Sequence, residues 1–76
     1  LYRGVAMRLR IRDLREDRNL QQKDIAKYLN VHQTTYSSYE NGKLNLPISA
    51  LDKLADFYNT STDYLMGRTN NPDPYE

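Results

Sequence analysis

Apolar side chains recur at helical spacing in this chain only in short bursts, and each burst is closed by an asparagine or a glycine. Asn19, Asn30, the pair Asn41 and Gly42, Asn59 and Gly67 do the closing. These two residue types enter the left-handed backbone region at the lowest cost, which is the conformation a chain needs to leave a helix and reverse. The sequence therefore predicts several short helices joined by tight turns. With only 76 residues to distribute, they must share one small core.

The bursts locate the helices. Met7, Ile11, Leu14 and Arg18 fall at i, i+4, i+7 and i+11, an amphipathic helix expected to end near Asn19, with Leu20 turning back to the core. Ile25, Ala26 and Leu29 make one stripe of a two-turn helix over 22–29. Residues 33–40 are rich in Thr, Ser and Tyr and suit a strand as well as a helix by propensity. The helix is preferred because the segment is short, exits through Asn41 and Gly42, and has no evident strand partner. Pro47 opens a helix whose Ile48, Leu51, Leu54, Ala55 and Tyr58 share one arc, and Ser61 or Thr62 caps a last short helix with Asp63 at its positive end. Residues 1–6 read as an extension or cloning remnant, 7–67 as the domain, and 68–76 as a loose polar tail with two prolines.

Composition removes whole classes of function. The chain has no cysteine and one histidine, His32, so disulfide scaffolds and Cys/His zinc sites are excluded and no metal or cofactor is expected. Neither a Gly-rich phosphate loop nor a nucleophile paired with a base can be assembled, which argues against an enzyme, and no small-molecule ligand is evident. No apolar run approaches the ~18–20 residues of a membrane span, and no leader opens the chain, so a soluble cytoplasmic protein is expected. The net charge of +1 hides an asymmetry: residues 1–43 hold nine Lys/Arg against five acids, and residues 44–76 hold two against five. A basic part beside an acidic part suits a polyanionic partner on one side, although many small domains share such a split.

Helical projection of 33–40 separates two faces. With Gln33 at 0°, Thr35, Tyr39 and Tyr36 lie at about 200°, 240° and 300°, whereas Ser37, Thr34 and Ser38 lie at about 40°, 100° and 140°. The tyrosines turn inward. The outward face carries Gln33, Thr34, Ser37 and Ser38, all uncharged and all able to give and accept hydrogen bonds. Such a face suits the edges of bases, where Gln pairs with adenine and Ser or Thr serve several partners; an ordinary polar surface is the plain alternative.

The strings RDLREDRNL at 12–20, QKDIA at 22–26, QTTYSSYENGK at 33–43, LDKLADFY at 51–58 and STDYLMGR at 61–68 appear in an order and at a spacing that resemble the Cro and phage-repressor type of helix-turn-helix domain, the XRE-like, lambda-repressor-like fold. The resemblance spans about Arg8 to Arg68. It implies an all-α, five-helix domain whose second and third helices form the helix-turn-helix, with the third in the major groove of DNA. It assigns base reading to Gln33, Thr34, Ser37 and Ser38. Backbone phosphate contact falls to Gln22, whose place at a helix start favours anions, and to Asn41, Gly42 and Lys43. Gln22 is equally a plain helix-start residue, and Asn41 with Gly42 a plain helix exit. Arg15 and Glu40 match an ion pair joining the first helix to the end of the third, and Tyr36 and Tyr39 match core positions with hydroxyls reaching the rim. Ala26 is small where two helices approach.

Two positions depart from the family pattern. Gln21 and His32 stand where Ser or Thr usually caps the second and third helices, and both are poorer caps, at about 1 kcal/mol each. At a helix start facing phosphate, His32 should strengthen DNA binding when protonated. Affinity followed across the histidine titration range, with His32→Ala as control, checks this; identical pH profiles for the two proteins would reject it.

The expected function is a sequence-specific DNA-binding domain of a bacterial or phage transcriptional regulator, a repressor by resemblance, acting as a homodimer on a palindromic operator. Tyr58, Leu65 and Met66 on the acidic part are the expected dimer surface. The alternative is a protein-interaction module, such as an antitoxin or a regulator subunit that docks a partner protein, because fold alone does not settle function. A docking groove should expose Leu, Phe or Met rather than a neutral polar face.

Overall fold

The computed structural model describes residues 9–74, so the readings placed on residues 1–8 and 75–76 lie outside the described residues. Five helices follow in order: α1 Ile11–Asp17, α2 Gln22–Leu29, α3 Gln33–Glu40, α4 Ile48–Phe57 and α5 Thr62–Leu65. Among the described residues there is no strand. The α2 and α3 spans are those the sequence predicts. Asn30 terminates α2 in the left-handed conformation at φ 60° and ψ 45°, and Val31 N–H then closes on the Ala26 carbonyl at 3.0 Å. Asn19 and Asn59 adopt the same region, at φ 58° and 54°. At the exit of α3 the work is divided: Asn41 stays right-handed at φ −85°, and Gly42 takes the positive φ of 78°.

Ile11, Ile25, Leu29, Tyr36, Leu51, Leu54, Tyr58 and Leu65 meet in one core drawn from all five helical segments and the turn after α4. Ala26 is buried with them, as a small residue at a close approach should be. Two departures stand out. Ile48 shares the apolar arc of α4 by angle but is 79% exposed, because it occupies the first position of the helix, ahead of the turns that reach the core. The dimer surface also needs correction. Tyr58 is 3% and Leu65 0% exposed within the single chain, so their apolar area is already taken up by its own core, and only Met66 keeps partial exposure.

Capping differs from expectation at one of the two departing positions. Asp24 Oδ2 accepts the Gln21 backbone N–H at 2.8 Å, a reciprocal contact that satisfies the start of α2 despite the weak cap residue. His32 makes no side-chain cap bond to α3. Ser61 caps α5, its hydroxyl accepting Tyr64 N–H at 3.0 Å.

The segment after Gly67, expected to be loose, is hydrogen-bonded back to the domain. Arg10 donates to the Thr69 carbonyl at 2.8 Å and to Asn70 Oδ1 at 2.9 Å, while its guanidinium lies 4.1 Å from the centroid of the Tyr64 ring. The buried Thr60 hydroxyl donates to the Pro72 carbonyl.

Candidate nucleic-acid interface

The helix pair α2 and α3 is joined by only Asn30, Val31 and His32, and the two helices pack against each other. Tyr36 anchors α3 from inside, with no exposure, and Tyr39 is half-buried beside it. Rotation of α3 is thereby fixed. Gln33 and Thr34 are exposed, and Ser37 and Ser38 are half-buried with hydrogen bonds at the surface. Ser38 Oγ donates to the Thr34 carbonyl at 3.0 Å, and Asn41 Nδ2 donates to Ser37 Oγ at 3.4 Å. His32, Asn41, Gly42 and Lys43 are all exposed around the two ends of α3. The structure therefore brings nine predicted residues, Gln22 included, to the two helices and their turns. No carboxylate lies on the outward face of α3; its one acid, Glu40, points into the domain.

Behind the face sits a polar cluster that fixes its orientation. Arg15 Nε and Nη2 donate to the two Glu40 carboxylate oxygens at 2.7 and 3.1 Å, a bidentate pair, and Arg15 Nη1 donates to the Leu20 carbonyl at 2.8 Å. Gln22 Nε2 donates to Glu40 Oε1 at 3.0 Å, so the same carboxylate holds the first residue of α2. One amide proton and the amide oxygen of Gln22 remain for an outside partner. Burial acts to raise the Glu40 pKa, but the hydrogen bonds of Arg15 and Gln22, the nearby Tyr36 hydroxyl and the charge of Arg15 outweigh it and leave it below the ordinary carboxylate value.

The tyrosine hydroxyls were expected at the rim, and for Tyr36 that expectation fails. Tyr36 is fully buried, with its hydroxyl inside the domain beside Glu40 rather than at the rim, and Tyr58 Oη is buried without a hydrogen-bond partner among the described residues. Burial drives both pKa values up: that of Tyr58 to about 12, against the opposing charges of Arg15 and Arg18, and that of Tyr36 with the neighbouring Glu40 carboxylate adding to the rise. Tyr58→Phe should therefore raise stability, by about 1 kcal/mol, because it removes a desolvated polar group that has nothing to bind. It should also remove part of the alkaline destabilisation. A group with a folded pKa raised from 10 to about 12 contributes stability below pH 10 that fades as pH climbs toward 12. Urea midpoints at pH 7 and pH 11 read both effects; a less stable Phe variant at pH 7 would show that the hydroxyl has a partner.

Among the described residues no cluster of His, Cys, Asp and Glu is arranged to hold a metal ion, and no helix is long and apolar enough to cross a membrane. Exposed large apolar side chains are Tyr28, Leu44, Ile48 and Phe57, none of them on the outward face of α3.

Comparison with known proteins places this geometry. The Helix-turn-helix family model matches residues 11–65. An uncharacterized HTH-type transcriptional regulator of Bacillus subtilis, YobD, is 34% identical over 65 residues, covering 86% of this chain and 58% of the relative. The cryptic phage CTXphi transcriptional repressor RstR of Vibrio cholerae is 41% identical over 49 residues, covering 64% and 44%. The HTH-type transcriptional regulator ImmR of Bacillus subtilis is 36% identical over 59 residues, covering 78% and 46%. The chain spans about half the length of the curated relatives it matches. No solved structure matches it.

Proposed function

The chain belongs to the helix-turn-helix family, and on that premise we propose that it is the sequence-specific DNA-binding domain of a transcriptional regulator, acting as a repressor and working in the cytoplasm. The observation that carries this reading is the outward face of α3, which holds Gln33, Thr34, Ser37 and Ser38 and no charge, above a core that fixes its rotation. Solvated helix faces ordinarily carry Lys and Glu. A face of neutral donors and acceptors gains most from base edges in the major groove. Gln22, His32, Asn41, Gly42 and Lys43 flank it and are assigned to the phosphates, with Gln22 held in place by Glu40.

A homodimer on a palindromic operator belongs to the same proposal. One such module covers only about 600–1,000 Å² of DNA contact, so two half-sites about 34 Å apart supply the specificity that one lacks. Nothing in the reading requires catalysis or a cofactor.

Gln33→Ala and Lys43→Ala separate the two kinds of contact. The first should lose about 1–3 kcal/mol on the preferred duplex and relax the base preference at one position. The second should weaken every sequence alike and reduce the slope of log affinity against log salt by about 1. Titrations of both variants on a duplex selected from a random pool, and on its scrambled version, check this at two stated salt concentrations. Equal losses for Gln33→Ala on both duplexes would remove base reading from α3.

A further inference from the structure

The two serines of the outward face are not equivalent, because the chain itself uses them in opposite senses. A hydroxyl has one proton to give and two lone pairs. Ser38 commits its proton to the Thr34 carbonyl one turn back, at 3.0 Å, and a carbonyl can only accept. Toward any outside group, Ser38 Oγ is left with lone pairs alone. Ser37 differs: its oxygen accepts an amide N–H from Asn41 Nδ2 at 3.4 Å, which leaves it one lone pair and its own proton, so of the two serines only Ser37 can donate outward.

The major groove offers donors and acceptors at fixed places. Donors are the exocyclic amino groups of adenine and cytosine; acceptors are purine N7, guanine O6 and thymine O4. We propose that Ser38 reads an exocyclic amino group, on adenine or cytosine, and that its neighbour Ser37 reads an acceptor. The assignment rests on the DNA-reading function proposed above and adds to it the chemical class of base each position takes. It also explains how two adjacent identical residues can contribute different preferences. A serine with no bond inside the protein would rotate its proton to suit either kind of group.

The test uses duplexes selected from a random pool by the wild-type chain, by Ser38→Ala and by Ser37→Ala. The position at which each variant loses preference identifies the base its residue contacts. In the wild-type duplex that base is then replaced by an analogue lacking one group: purine for adenine or 2-pyrimidinone for cytosine at the Ser38 position, and an analogue lacking purine N7 or thymine O4 at the Ser37 position. Removing the amino group should weaken wild-type binding roughly five- to tenfold, as loss of one hydrogen bond does, and leave Ser38→Ala binding unchanged. Removing the acceptor should do the same for the wild type against Ser37→Ala. A sequence-specific site at which the amino group can be deleted from the Ser38 position without loss in the wild-type protein overturns the assignment while leaving DNA reading intact. So does an equal loss in wild type and Ser38→Ala. A pool that yields no preferred sequence overturns the DNA reading itself. The wild-type comparison of analogues needs no variant to fold.

Discussion

Glu40→Ala should lower folding stability by about 3–5 kcal/mol, because it strips one partner from a buried ion pair and leaves the other uncompensated. The side chain of Glu40 is 1% exposed and that of Arg15 11%, so water cannot replace the lost carboxylate. A domain of this size holds a total of roughly 4–11 kcal/mol. The variant should therefore keep only about half of the wild-type stability. Three donors lose an acceptor at once: Arg15 Nε, Arg15 Nη2 and Gln22 Nε2. Double substitution of Arg15 and Glu40 by apolar residues of similar volume should recover much of the loss, since the pair fixes orientation more than it adds stability. Acid should mimic the single variant. The pKa of Glu40 is depressed in the folded chain, so its contribution is fully present above the ordinary value of 4.5 and disappears as pH falls through the lowered one. Urea denaturation between pH 7 and pH 3 reads both effects. A Glu40→Ala midpoint within 1 kcal/mol of wild type, or an acid limb unchanged by the substitution, would show the pair to be solvated.

How far the sequence could be read depended on whether a property was local. The spans of α2 and α3 follow from residues that act within a turn: Asn30 takes the left-handed conformation that ends one helix, and Gly42 supplies the exit of the next. The outward face of α3 follows from helical geometry once Tyr36 is taken as inward, and Tyr36 is fully buried. What the sequence could not decide is where an apolar residue finds its cover. Tyr58 and Leu65 have the composition of a dimer surface and of a core alike, and only the closing of α5 against α4 assigns them to the core. Ile48 fails for a related reason, since an angular position on a helix says nothing of how far the neighbouring elements extend. Asp24 could have been found as a compensating cap by its position three residues after Gln21. The hold of Arg10 on Thr69 and Asn70, across 59 and 60 residues, leaves no local trace in the sequence.

Leu54→Ala should cost about 2–5 kcal/mol, the range for deleting a large aliphatic side chain from a packed interior. Leu54 has no exposure and sits on α4 between Leu51 and Tyr58, where the elements that frame the helix pair converge. Its loss differs in kind from that of Glu40. No charge is left unpaired, so the loss should be independent of pH between 4 and 9, and it should scale with the cavity that remains. The face of α3 is untouched, so the folded fraction should still bind the selected duplex with wild-type affinity. Binding then draws the equilibrium toward the folded state: duplex at a hundred times its dissociation constant adds about 2.7 kcal/mol of apparent stability, enough to recover much of the deficit. Thermal unfolding of Leu54→Ala with and without duplex measures the recovery. A variant that is destabilised but gains nothing from saturating duplex would mean that α4 packing and the DNA-facing geometry of α3 are one cooperative unit, with the cavity transmitted to the face.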